Sequence, residues 1–513
     1  MPRLVFDRHG ERRSSFAIFM WTTAAATLIL RAVLTAPNDD EVFYLAQSWA
    51  ARIGDVKGDL PMRHLVFRPF LLPPWPPSAA LAAGRAVMVL LTAASAVVSL
   101  HLVRRAGARS GDAVVAGALS LVWLANAAEG AVLRPEQFAN AAVLLGVAVL
   151  VAPPARWRPR YATAAAFLLL TLAASLSHRR LALVLVALGL SLWTRRQANW
   201  RAELAWASAG IVAGLLPSLL YVAWADSFAS IWYWNWTFVV EHSWARRGGL
   251  WLRFPMAPLL AGAAGTVGAL LDRRDRSPVA LMLAALWLAS TALAVFVPFT
   301  LPYALGTWFV LGVVLAARLA SRLLPSPAAP AGQRLYAVAV GVLGLTPLLG
   351  PGVVRLVRSP PPVRSELALI DWLHELADGG KVACVAPFHP IKAANAWRLW
   401  NAWWYCYLRD PAFNRELNPG LAGMLRGSEA RLIQWDPWPE VSGFRNVVGY
   451  ATAYGFVTRR EAPAVSLTLR RNYRLVRWNG PLPERYGGGR FLVLRDLPLD
   501  DRVTVLPDSS IAP

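Results

Sequence analysis

Residues 16–41 read FAIFMWTTAAATLILRAVLTAPNDDE. Phe16 to Ala36 is an apolar run of membrane-spanning length, since a hydrocarbon core needs roughly 20 residues of helix. Arg3, Arg8, Arg12 and Arg13 precede it, and the excess of cations on cytoplasmic segments places the N-terminus in the cytoplasm. The run is too long for a cleavable signal peptide, and no small-residue cleavage pattern follows it. The tetrad Asn38-Asp39-Asp40-Glu41 then emerges on the far face. Three consecutive carboxylates beside a bilayer are costly, which argues that they are used.

The rest of the composition extends this reading. Of 513 residues, 56% are hydrophobic, and the mean hydropathy is +0.41. These values exclude a water-soluble globule and predict a polytopic helical membrane protein. The net charge of +22 is carried almost entirely by arginine. In a soluble chain it would suggest nucleic acid, but here the arginines fall in short loops, where they set topology and meet anionic headgroups. Cys384 and Cys406 have no zinc-ligand spacing around them. A disulfide between them stays open, and it requires an extracytoplasmic location.

After the first run, apolar segments fall near 79–103, 113–128, 136–152, 161–177, 181–193, 203–224, 255–271, 278–297, 301–317 and 333–350, about eleven spans in all. Alternate loops carry Arg104, Arg105 and Arg109; Arg156, Arg158 and Arg160; Arg195, Arg196 and Arg201; Arg273, Arg274 and Arg276; Arg318, Arg322 and Arg334. All land on the N-terminal side, as the positive-inside rule requires. The 37–77 loop, the Asn126–Glu136 connection, the Ser177–Arg180 turn and the 225–253 loop share the opposite face. An odd span count sends the chain beyond 351 to that face as well. The expected organisation is a membrane module over 1–351, a Pro-rich linker over 352–363, and an extracytoplasmic soluble domain over 364–513. In that domain Ser365 caps a helix through Ala377, with a stripe of Leu367, Ile370, Leu373 and Leu376 and Gly379 at its end. Lys381–Ala386, Arg431–Trp435, Tyr473–Trp478 and Arg490–Arg495 read as strands of a small α/β or α+β domain. Gly487-Gly488-Gly489 reads as a turn.

Several groups on the acidic face could do chemistry. Val42–Ile53 has the spacing of a short amphipathic helix, with Phe43, Leu45, Ala46, Trp49 and Ile53 suited to the membrane surface. The carboxylates before it either cap that helix or work at a site. Pro61-Met62-Arg63-His64 and Phe67-Arg68-Pro69 follow. Arg134-Pro135-Glu136 opens the fourth span, with Glu129 a few residues upstream. His178-Arg179-Arg180 holds cations against the topology rule, either to meet headgroups or to bind a phosphate through charge-assisted hydrogen bonds. The 226–244 loop is dense in tryptophan around Trp234, Asn235, Glu241 and His242, which suits either an interfacial belt or a carbohydrate site. His389 reads as structural. A lipid phosphate sugar fits such a face. Arginine neutralises the departing phosphate, and a carboxylate takes the proton of an acceptor hydroxyl.

Asn38-Asp39-Asp40-Glu41-Val42-Phe43-Tyr44 resembles the His-Pro-Asp-Glu-x-Phe-Gln motif of the dolichol-linked mannosyltransferase branch of the GT-C membrane glycosyltransferases. Phe67-Arg68-Pro69-Phe70-Leu71-Leu72-Pro73 is similar to that branch's Arg-Ser-x-x-x-Pro segment, and Trp234-Asn235-Trp236 and Phe254-Pro255 echo its later loop. The branch's Thr-Trp-Glu and Lys-Glu-x-Arg-Phe segments are missing. Over the first nine or so spans the resemblance implies an all-α polytopic GT-C-like module, to which the small C-terminal α/β domain is added, and the expected place is the inner (plasma) membrane of a bacterial cell envelope. The resemblance implies inverting transfer of a hexosyl or pentosyl group from a polyprenyl phosphate to a glycan, lipid or protein acceptor, without selecting the sugar.

Asp40 is then the expected base. Asp39 and Glu41 would orient the acceptor or hold a divalent cation such as Mg or Mn. Arg68, Arg134, His178, Arg179 and Arg180 would bind the donor phosphate. Glu136, Trp234, Asn235, Glu241 and His242 would bind acceptor or sugar. The rival readings are a transporter or flippase, which places ionisable groups at the bilayer midplane and shows repeats, and a noncatalytic subunit of a glycan-building complex. Clustering of the polar groups at one face favours the enzyme.

Overall fold

The structure, a computed structural model, describes residues 8–35, 39–52, 61–126, 129–177, 180–194, 200–225, 228–232, 256–272, 277–296, 305–323, 363–378, 380–383, 394–395, 423, 430–436, 446–453, 456–482 and 488–511. It divides into two compact units. One comprises residues 1–33, 60–62 and 85–358, the other residues 34–59, 63–84 and 359–513.

The first unit is helical. Helices α1 (Arg8–Leu34), α4 (Pro77–Arg105), α5 (Ser110–Asn126), α6 (Pro135–Val151), α7 (Pro159–Leu176), α8 (Leu181–Thr194), α9 (Trp200–Ala225), α11 (Met256–Leu271), α12 (Pro278–Phe296) and α13 (Gly306–Leu323) match the expected apolar segments in order. The segment 333–350 lies outside the described residues. By length and composition, Pro77–Arg105, Pro159–Leu176, Trp200–Trp224, Pro278–Val295 and Gly306–Leu323 are long and apolar enough to cross a membrane; among the described residues the apolar stretches Ile18–Leu34, Ser110–Asn126, Pro135–Val151, Leu181–Thr194 and Met256–Leu271 are shorter. The segment expected at 301–317 begins five residues later, at Gly306. Close approach of the backbones uses small residues, as helix pairs in lipid do. A Cβ on Gly210 would lie 2.2 Å from the Ala164 carbonyl oxygen, and one on Gly214 would lie 2.8 Å from Thr171, so this Gly-x-x-x-Gly pair lets α9 lie against α7.

The second unit contains α2 (Asp39–Arg52), most of α3 (Pro61–Phe67), a 3-10 turn (Arg68–Leu71), α14 (Val363–Ala377), α15 (Val447–Ala453), α16 (Ala462–Asn472) and a six-stranded sheet. The strands are β1 (Lys381–Ala383), β2 (Ala394–Asn395), β3 (Leu432–Gln434), β4 (Tyr473–Trp478), β5 (Arg490–Leu494) and β6 (Val503–Val505), in the order β2-β1-β3-β5-β4-β6. Strand β1 is parallel to β2 and β3, and the remaining pairs are antiparallel. Leu369, Trp372, Leu373 and Leu376 of α14 pack with Val382, Leu432, Val476, Phe491 and Val493 of the sheet. The helix starts at Val363, so Ser365 lies within it and does not cap it; its Oγ accepts from Trp478 Nε1 at 3.0 Å. Asp378, at φ 36°, takes the left-handed turn after the helix, where a residue of that conformation ends many helices; Gly379 lies outside the described residues. Gly488 and Gly489, at φ 88° and 61°, form the expected turn before β5.

Candidate functional site

In the second unit the acidic tetrad does not precede a helix that starts at Val42. The helix begins at Asp39, so Asp39, Asp40 and Glu41 form its first turn, where carboxylates meet the positive end of the helix dipole. Glu41 is fully buried, together with Val42, Leu45, Ala46 and Ser48. Leu45 and Ala46 are therefore protein core, and the face expected to rest on the membrane surface is turned partly inward. Tyr44 stacks on Phe67 at 5.4 Å and 16°, fastening α2 to the turn Arg68–Leu71, in which Phe70 and Leu71 are buried. Arg68 is exposed. His64, which the sequence reading passed over as a site residue, is 4% exposed.

The first unit holds a second polar group at the start of α6. Arg134 occupies the position before the helix in extended conformation, and Pro135 opens it, a place where a missing N–H costs nothing. Arg134 is buried and pairs with Glu129 at 3.1 Å. Glu129 has φ 51°, an uncommon conformation for a residue with a side chain. The turn is held in place because Gly130 donates to the Leu124 carbonyl at 2.8 Å and Thr92 Oγ1 donates to the Gly130 carbonyl at 2.8 Å. A Cβ at Gly130 would lie 2.7 Å from the Leu124 oxygen. Gln137 donates to the Glu129 carbonyl at 3.4 Å. Glu136 is 8% exposed, and its Oε2 is buried without a hydrogen bond.

One turn along the same face, Asn140 gathers three donors. Its Oδ1 accepts from Arg180 Nη2, from Thr307 N–H at 3.3 Å and from Thr307 Oγ1 at 3.0 Å. Arg180 is 6% exposed, so its guanidinium is turned into the helices. Positions four apart lie on one side of a helix; that spacing was the available signal for Asn140. Arg31 and Arg85 were also passed over. Both lie within apolar helices, where a charge is itself a signal, and Arg85 donates to the Ala32 carbonyl at 3.0 Å.

Arg134 and Glu129 thus come together at the start of α6, which also carries Glu136, and Arg180 joins Asn140. Asp39 and Asp40 are placed as helix backbone only. His178, Arg179, Trp234, Asn235, Glu241 and His242 lie outside the described residues, as do Cys384, Cys406 and His389. Among the described residues no group of three or more His, Cys, Asp or Glu side chains is arranged to hold a metal ion.

No protein-family description matches this chain, and no curated protein matches it. Among solved structures it is similar to ArnT from Cupriavidus metallidurans bound to undecaprenyl phosphate, with 18% identity over 71% of each chain and a TM-score of 0.49. It is also similar to the Archaeoglobus fulgidus oligosaccharyltransferase in the apo form, with 9% identity over 95% of this chain and 76% of that one and a TM-score of 0.49. A second structure of the archaeal protein AglB, in complex with an inhibitory peptide and a dolichol-phosphate, has 10% identity, covers 96% of this chain and 75% of that one, and has a TM-score of 0.47. At these scores the likeness assigns no activity, substrate or residue to this chain.

Proposed function

We propose that this chain is an integral membrane glycosyltransferase that moves a sugar from a polyprenyl phosphate to an extracytoplasmic glycan, lipid or protein acceptor with inversion. The observation that carries this reading is the acidic first turn of α2, directly after the first apolar helix, with Glu41 buried in it. A helix needs one cap, not three carboxylates, and a buried carboxylate is retained where it has a task or a partner.

Asp40 takes the proton of the acceptor hydroxyl as that oxygen attacks the anomeric carbon. The bond from that carbon to the phosphate oxygen breaks, and the polyprenyl phosphate leaves with the electron pair. Arg68, Arg134, His178, Arg179 and Arg180 balance its charge, with Arg180 anchored on Asn140. Glu136, Trp234, Asn235, Glu241 and His242 form the acceptor and sugar side. Asp39 and Glu41 are the residues that would hold a divalent cation, which would supply charge neutralisation; no step depends on it.

The test is to incubate the purified protein with a panel of polyprenyl-phosphate sugars and acceptors and to measure release of free polyprenyl phosphate. Release by the wild type and none by D40N is the expected result. Binding of a lipid-linked sugar without turnover would move the reading to a noncatalytic subunit, and movement of the intact lipid between leaflets would move it to a flippase.

A further inference from the structure

Helix α14 touches the outer loop through Asp371. Ser78 donates its backbone N–H to Asp371 Oδ1 at 2.9 Å and its hydroxyl to Oδ2 at 2.6 Å, across 293 residues of sequence. The first N–H groups of a helix lack intrahelical partners, and the usual cap is a Ser, Thr, Asp or Asn just before it. The segment before α4 is Leu72-Pro73-Pro74-Trp75-Pro76, and Pro77 opens the helix; neither offers such a residue. Pro76 and Pro77 carry no N–H, and the amides of Ala79 and Ala80 both reach the Pro76 carbonyl, at 3.0 and 3.1 Å. Ser78 is therefore the amide left without a local acceptor, and Asp371 supplies one from the far end of the chain.

Both sides of this contact are stiff. Asp371 lies on a helix whose Leu369, Trp372, Leu373 and Leu376 are locked into the sheet. Behind Ser78, Pro73, Pro74, Pro76 and Pro77 fix the backbone, the turn Arg68–Leu71 buries Phe70 and Leu71, and Phe67 stacks on Tyr44 of α2. A displacement at Ser78 is therefore passed along the loop to the acidic helix.

We propose that Asp371 is a positioning residue: by capping Ser78 it makes the C-terminal α14 and its sheet the clamp that holds the outer loop, and with it Asp40 and Glu41, in place for transfer. The catalytic part of this role rests on the transferase reading; the clamp does not. The test uses the full-length protein in D371A, D371N and S78A forms, with R502Q as a control that breaks the pair between Arg502 and Glu375 of the same helix. Amide hydrogen exchange over residues 61–80 reports the clamp. D371A is expected to speed exchange at Ser78 by about five- to tenfold, the scale of a lost cap. D371N keeps an acceptor oxygen and should stay near wild type, and adding S78A to D371A should change little further. In polyprenyl-phosphate release, D371A should lower kcat with little change in the donor KM, D371N should restore it, and R502Q should leave it unaltered. Unchanged exchange in D371A overturns the clamp. Faster exchange with wild-type kcat overturns the positioning role. Faster exchange in a protein whose wild type releases no lipid phosphate from any donor supports the clamp and sinks the transferase reading.

Discussion

Helix α13 joins two polar clusters that differ in kind. At its start, Thr307 and Arg180 both donate to Asn140, one turn of α6 from Glu136. At its end, about 16 Å on at 1.5 Å per residue, Arg318 is 2% exposed and donates to the Ala106 carbonyl at 3.0 Å and to Asp272 at 2.9 Å. There Arg109 donates to Asp112 at 2.9 Å, and the Ser321 hydroxyl donates to the same carboxylate. Glu203, in the first turn of α9, likewise accepts from Thr163 at 2.9 Å and Ser191 at 2.7 Å. The carboxylates at the arginine-rich ends are thus neutralised or hydrogen-bonded by neighbouring helices, which is what holding a bundle together requires. At the other end Glu136 keeps a buried oxygen with no hydrogen bond, and Glu129 holds an unfavourable backbone conformation. A buried carboxylate oxygen without a hydrogen bond and a residue at positive φ are features that active sites often carry, which is why the proposed reading uses this end.

That contrast can be broken or sharpened by substitution. The largest effect is expected at the acidic turn: D40N should lower lipid phosphate release by about a thousandfold, within the range of a lost general base, with normal expression and melting temperature. Wild-type turnover in D40N removes the base assignment. E136Q should lower turnover by about a hundredfold while leaving thermal stability unchanged or raised, because it removes a buried charge that lacks a full set of partners. D112N should do the reverse, and equal responses of the two variants would erase the distinction between the clusters. R318A should cost about 3 kcal/mol, as breaking a buried ion pair does, read as a lower melting temperature with the donor KM unchanged. R134A should raise the apparent KM for the lipid donor about tenfold, the loss of one charge-assisted contact; an unchanged KM takes Arg134 out of the donor site.

The smallest effect concerns pH. Hydrogen bonds from Arg502 hold the Asp500 carboxyl below its ordinary value of 3.8. Its contribution is therefore full above that value and lost as pH falls through the lowered one. The pair is exposed, so only a slight acid destabilisation is expected. Thermal unfolding that shows the same acid response in D500N would assign it to another group.

The ordering of the apolar helices was legible because each apolar segment is bounded by arginines or turn residues, and burial in lipid demands a long unbroken apolar run. Strand β4 was predicted at the residues where it forms, because Tyr473–Trp478 carries β-branched and aromatic residues next to a turn. Strand β6 and helix α16 were missed. Val503–Val505 is too short to show a period, and Ala462–Asn472 has few apolar positions. The Ser78–Asp371 contact joins residues 293 apart, and no local pattern in either segment marks it.

By itself the sequence determined the membrane class and the order of the helices, because these follow from local hydropathy and charge. Tertiary structure alone decided which charges are satisfied. Glu41 is in the core, Arg180 turns inward to Asn140, Glu136 keeps a bare oxygen, and Asp371 caps a helix 293 residues away. Those outcomes depend on which helix faces meet, and spacing along one chain carries no record of a partner brought in by packing.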